Sequence, residues 1–200
     1  MLIYLLLFLS SPGLTQGPNL VELQGEPFVI ELQYLRADNF LKKNVYGAFG
    51  LKSCYVRPEL HKKLIALAPT LKQKKKKLVF WDCYRPLKVQ EAMWKLVPDP
   101  RYVADPKIGS NHNRGAAIDV ALADEQGKLL KFSTPFDDFS PKASPQYVCT
   151  ENEKEQCKNR DFLIQLMASV GLEVFPTEWW HYQLPKAEKL PVIPKFEGAK

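Results

Sequence analysis

A carboxylate set inside an apolar run limits this chain more than any other feature. Ala117 to Ala123 reads as a strand, yet it carries Asp119. Aspartate is disfavoured in strands and is rarely buried without a partner. Any fold that buries this segment must therefore bring a cation to Asp119. Just upstream, Ser110-Asn111-His112-Asn113-Arg114-Gly115 puts a histidine on a loop and a glycine where the chain must turn. Far downstream, Glu178-Trp179-Trp180-His181 sets a second carboxylate and imidazole in an aromatic segment. The remaining histidine, His61, lies among lysines on an expected helix and reads as a surface residue.

Two imidazoles and one carboxylate leave the fourth position of a tetrahedral zinc open for water, as a catalytic rather than a structural site requires. His112, Asp119 and His181 are the ligands this reasoning selects, which leaves Glu178 to act on the water. Zinc lowers the pKa of such a water to about 7, and a nearby carboxylate can take its proton and later deliver it to a leaving amine. Glu178 and His181 stand three apart and would face opposite sides of a regular strand. Their convergence requires a bulge, or a strand that begins after Glu178. Arg85 precedes Pro86 and is held extended at a strand end, where a fixed cation can stabilise the oxyanion of a tetrahedral intermediate. The competing assignments are histidines satisfied within the core, Asp119 paired with Arg114, and Arg85 as an ordinary surface residue.

The 200 residues, 46% of them hydrophobic, suit one globular domain and exclude a disordered, collagen-like or coiled-coil chain. A net charge of +6 without any nucleic-acid signature gives no argument for DNA or RNA. The opening run MLIYLLLFL is far shorter than the roughly 20 apolar residues of a membrane span. Followed by Ser10, Ser11, Pro12 and Gly13, it reads as a signal peptide over residues 1–17, exporting a domain of residues 18–200 that keeps no membrane anchor. In an exported protein Cys54, Cys83, Cys149 and Cys157 favour two disulfides. Three pairings are open; a short loop closed by Cys149 and Cys157 would leave Cys54 to Cys83.

Leucines at 60, 64, 67 and 71 predict an amphipathic helix over 58–76, bent or split at Pro69. Leu78 to Cys83 reads as a buried strand, and a helix follows Pro86 with Val89, Met93, Leu96 and Val97 as its stripe. Ala117 to Ala123 and Lys128 to Phe132 suggest a hairpin around Gly127. Another helix spans 151–170, with Gly171 suited to a left-handed stop, and 172–184 returns as a strand or hairpin. From about residue 185 the prolines and lysines suggest a loosely packed, extended tail. The fold class is α+β: a small antiparallel-rich sheet flanked by helices, with the metal at one end of the sheet.

The pattern S-x-H-x-x-G-x-A-x-D from Ser110 to Asp119, with Glu-Trp-Trp-His at 178–181, resembles the zinc D-alanyl-D-alanine dipeptidases of the VanX type and their carboxypeptidase relatives. Trp81-Asp82-Cys83-Tyr84-Arg85-Pro86 is similar to that family's W-D-x-Y-R-P strand end, and Tyr34 with Asn39-Phe40 to its Y-x-x-x-x-N-F segment. Asn159-Arg160 and Gly171 resemble the helix before the second motif. The likeness runs from about residue 30 to 184. It implies a single zinc on His112, Asp119 and His181, Glu178 as base and then acid, and Arg85 as transition-state cation. It further implies Ser110 and Tyr34 as substrate contacts, and Asp137, in a Phe-Asp pair, as acceptor of the dipeptide ammonium.

Leu35-Arg36 and Phe132-Ser133 stand where that family usually has Ala-Thr and Met-Gly. Both are expected near the substrate pocket and bear on the choice of dipeptide. The expected function is hydrolysis of D-alanyl-D-alanine or a similar D,D-dipeptide by a metal-activated water in the periplasm or outside a bacterial cell. The alternatives are a D,D- or L,D-carboxypeptidase acting on peptidoglycan stems, and a non-catalytic zinc-bearing cell-wall module. The partner is a small dipeptide, and oligomeric state is not legible.

Overall fold

The computed structural model describes residues 19–193, so the expected leader lies outside it. Its frame is a five-stranded sheet in the order β2-β4-β5-β7-β6. These strands are β2 (Phe28–Ile30), β4 (Lys76–Asp82), β5 (Ala117–Asp124), β6 (Glu173–Phe175) and β7 (Glu178–Gln183). Only the β2–β4 pair is parallel, so the sheet is antiparallel-rich and the α+β class holds. A separate two-stranded sheet pairs β1 (Val21–Glu22) with β3 (Tyr55–Val56). Leu78, Val79, Phe80, Ile118, Val120 and Leu122 are all buried, as continuous apolar runs covered on both faces require.

Pro69 splits the first predicted helix into α1 (Pro58–Ile65) and α2 (Ala68–Gln73), because its ring collides with the carbonyl four residues back and it has no N–H to give. After Pro86 comes α3 (Leu87–Leu96). Thr150 and Glu153 close a reciprocal capping box ahead of α4 (Lys154–Ala168), which packs across β5, β6 and β7, and Gly171 takes the left-handed stop at φ 70°.

Two expectations change. The return after Gly127 is no strand: Leu129 bridges Ala123 and Leu130 N–H reaches Leu122 O, and there the pairing stops. β7 already takes the edge of β5 at Ala117–Asp119, which leaves the return only the far half of that edge. The segment beyond 185 is not loose either. Ala187–Lys189 form a 3-10 turn, Ile193 is buried, and Ile193 N–H donates to Asn113 O at 2.9 Å while Tyr84 Oη donates to Ile193 O at 2.8 Å. Arg114 Nε and Arg57 Nη2 take the Leu190 and Pro191 carbonyls, each at 2.9 Å. Composition signalled exposure but said nothing of these backbone partners.

Two irregularities shape the end of the sheet. Phe80 pairs Val120 and Asp82 pairs Asp119, so Trp81 is an extra residue on β4. On β7, Val174 pairs Tyr182 but Phe175 pairs Glu178, a slip that bulges Trp179 to His181. The loop into β5 turns at Gly115, whose φ is +63° and where a Cβ would stand 2.6 Å from Leu20 Cδ2. Gly115→Ala is therefore expected to destabilise by about 1–2 kcal/mol from backbone handedness alone. That should lower the thermal midpoint by several degrees, at about 2–4 °C per kcal/mol for a domain of this size, as calorimetry would show.

Candidate metal centre

Sheet pairing delivers two of the three expected ligands to one place. Asp119 on β5 stands opposite His181 on β7 and opposite Asp82 on β4, and residues paired across strands share a face. His112 enters from a 3-10 turn, His112–Arg114, that leads into β5. His181 Nδ1 lies 3.0 Å from Asp119 Oδ1, His112 Nε2 lies 3.4 Å from the same oxygen, and the two nitrogens are 3.2 Å apart. Around a zinc with bonds of about 2.0–2.1 Å, tetrahedral ligand atoms stand about 3.3 Å from one another.

The surrounding hydrogen bonds say which nitrogens are free. His112 Nδ1 faces Cys83 O at 2.8 Å, and a carbonyl can only accept, so Nδ1 carries the hydrogen and Nε2 presents its lone pair. Gln183 Oε1 accepts from Asn111 Nδ2 at 2.8 Å and faces His181 Nε2 at 3.3 Å, which turns the His181 Nδ1 lone pair inward. Asp119 Oδ1 is buried and accepts no hydrogen bond. A proton on one edge would serve two of these donors; one divalent cation serves all three. The residues thus fit a metal. Arg114, the competing partner, gives its guanidinium to the carbonyls of Ile108, Ser110 and Leu190 instead.

A cavity of about 320 Å³, at the small end of ligand pockets, opens on this cluster. Tyr34, Arg85, Ser110, Asp137 and Glu178 all line it beside His112, Asp119 and His181, so the residues expected to bind metal, act on water or hold substrate meet there. The β7 bulge brings Glu178 Oε2 to 3.9 Å from His181 Nδ1, and burial pushes the Glu178 carboxyl up. Tyr34 Oη donates to both oxygens of Asp137, at 3.2 and 3.1 Å. Burial, then the charge of Asp119, raises Asp137 well above the ordinary carboxylate value. Ser110 Oγ takes the His112 backbone N–H at 3.2 Å rather than the imidazole, so no serine–histidine dyad forms.

Arg85 is buried, with its guanidinium 5.4 Å from the Tyr34 ring centre. Its Nε and Nη2 both bond Asp82 Oδ2, while Nη1 donates to Gln90 Oε1 at 2.8 Å. Tyr46 Oη and Cys83 N–H occupy the other Asp82 oxygen. Burial works against the charge, but Asp82 holds the Arg85 pKa well above its usual value. Sequence reasoning assigned no role to Asp82, Tyr46, Gln90, Asn111 or Gln183. The usable signals were Asp82 inside the strand-end motif and Gln90 next to the apolar stripe of α3. Of the expected pocket departures, Arg36 is an exposed partner of Asp38, and Phe132 and Ser133 line a second cavity with Trp81 and Trp179. Neither pair lines the metal cavity.

A sheet end carrying two histidines, an aspartate and an adjacent glutamate beside a small pocket defines a candidate metal-dependent hydrolase. The family model described as D-ala-D-ala dipeptidase, peptidase M15, matches residues 18–197, and the chain belongs to that family. It is 36% identical over 168 residues to a D-alanyl-D-alanine dipeptidase of Escherichia coli K12, covering 82% of each chain. It is 27% identical over 176 residues to one of Enterococcus faecium, covering 77% of this chain and 84% of the relative.

If the three donors hold a metal, chelation followed by zinc at one hundred times its Kd stabilises the fold by about 2.7 kcal/mol. That corresponds to a rise of about 5–10 °C in thermal midpoint. Asp119→Ala should abolish the rise.

Proposed function

We propose that this chain is an exported zinc peptidase that hydrolyses D-alanyl-D-alanine or a similar D,D-dipeptide, with one zinc held by His112, Asp119 and His181. The observation that carries the reading is the set of three donor separations, 3.0, 3.2 and 3.4 Å, with Glu178 beside them and a small cavity in front. Zinc bound there supplies a Lewis acid that polarises the scissile carbonyl and lowers the pKa of water. Family membership and the two disulfides, bridges typical of oxidising compartments, support an exported peptidase.

Glu178 takes a proton from the attacking water as the new C–O bond forms at the carbonyl carbon, then passes it to the nitrogen as the C–N bond breaks. Its burial suits both halves of that cycle, because a carboxyl whose pKa is pushed up by burial takes a proton more readily than an exposed one and can still give it back. Arg85, fixed by Asp82 and Gln90, aims its remaining N–H groups at charge developing on the carbonyl oxygen, and this preorganisation avoids reorientation during reaction. Asp137 receives the substrate ammonium, while Tyr34 and Ser110 hold the remaining polar groups. A carboxylate in that place selects a free dipeptide over an internal peptide bond, which sets this reading apart from a stem-trimming carboxypeptidase. Equal turnover of N-acetylated and free dipeptides would reject it.

Glu178→Gln should lower kcat by about 10²–10⁴-fold with zinc content unchanged, measured by dipeptide hydrolysis and metal analysis. Such a loss also excludes the non-catalytic cell-wall module. The Asp137 pKa is raised by burial, so this carboxylate loses charge as pH falls through a value above the ordinary carboxylate range. KM for a free dipeptide is expected to rise over that window. Asp137→Asn should raise KM at neutral pH and flatten its pH dependence, with kcat changed less.

A further inference from the structure

We propose that the Cys54–Cys83 disulfide is a positioning element of the metal centre, fixing the carbonyl that orients His112. The inference rests on the zinc reading above and extends it to residues with no contact to metal or substrate. Cys83 follows the last residue of β4 and lies beyond the paired ladder with β5, which ends at Asp82. Its carbonyl nevertheless receives His112 Nδ1–H at 2.8 Å, the bond that leaves Nε2 unprotonated and aimed at Asp119. What holds this carbonyl is the bridge to Cys54, with both sulfur-bearing residues fully buried, and the Cys83 N–H bond to Asp82 at 2.8 Å.

The rest of residues 54–57 completes a splint. Tyr84 N–H donates to Tyr55 O at 2.9 Å, so the residue after Cys83 is tied to the one after Cys54. Arg57 N–H donates to Gly115 O at 2.9 Å, and Arg57 Nε bonds Arg114 O, which ties the same segment to the loop that carries His112. The two loops also bond directly, Arg85 N–H to His112 O at 3.1 Å and Asn113 Nδ2 to Arg85 O at 2.8 Å. The disulfide is the covalent member of this set, and it acts on the atom that fixes the tautomer and aim of one ligand. Cys149–Cys157 offers an internal contrast: it closes a loop ahead of and into α4, lines another cavity, and gives no residue to the metal cavity.

The test compares two double variants, Cys54→Ala with Cys83→Ala and Cys149→Ala with Cys157→Ala, against the wild-type chain. Zinc affinity is read by chelator competition, and ligand geometry by the visible absorption of the cobalt-substituted protein. Loss of the first bridge is expected to weaken zinc binding by about 10–100-fold and to alter the cobalt spectrum. Loss of the second should lower the thermal midpoint and leave both readouts unchanged. Zinc affinity within about twofold of wild type in the first variant, with an unaltered cobalt spectrum, overturns the proposal. If that variant fails to fold, Cys54→Ser alone, which keeps the Cys83 side chain, is put through the same measurements. Unchanged affinity there, or failure of both to fold, assigns the bridge to folding and overturns the positioning role. A wild-type chain that binds no zinc counts against the zinc reading instead.

Discussion

Asp119 Oδ1 lies 3.0 Å from one imidazole nitrogen and 3.4 Å from another, with each of those nitrogens turned inward by a hydrogen bond on the far side of its ring. Lone pairs facing a buried anion repel it unless a cation stands between them. Buried charge is tolerated where it is paired or coordinates a metal, and the rest of the sheet end is arranged around that requirement. Cys83 O and Gln183 Oε1 set the rings, and Asn111 in turn sets Gln183. The neighbouring Asp82 is occupied by Tyr46, Arg85 and the Cys83 amide, so it neutralises Arg85 rather than joining the cluster.

The strands reach this arrangement by departing from regularity at two points. A straight β7 would turn Glu178 away from His181, and a straight β4 would put Trp81 where Asp82 now faces Asp119. Each bulge costs local pairing and re-aims a side chain. The displaced aromatics are not lost to the structure: Trp179 and Trp180 are fully buried, and Phe132 stacks on Trp179 with ring centres 4.0 Å apart.

Much of this was legible in the sequence because its chemistry was out of place. An aspartate in an apolar strand and a histidine among tryptophans had to be explained, and the three-residue gap from Glu178 to His181 already demanded either a bulge or a strand beginning after Glu178; the bulge is what forms. Pro69 broke its helix and the two disulfides paired as the short loop suggested. The illegible parts rest on partners far apart in the chain. Tyr46 meets Asp82 across 36 residues and Asn111 meets Gln183 across 72, and neither pair shares a local pattern. The aborted strand after Gly127 depended on where β7 docks, which the periodicity of residues 128–132 does not encode.

The bonds from Ile193 N–H to Asn113 O and from the Arg114 guanidinium to Leu190 O tie the His112 loop to the C-terminal segment. Both ligand motifs are translated before the segment that clamps the His112 loop. A shortened product ending near 185 would keep His112, Asp119 and His181 yet leave the His112 turn without these two bonds.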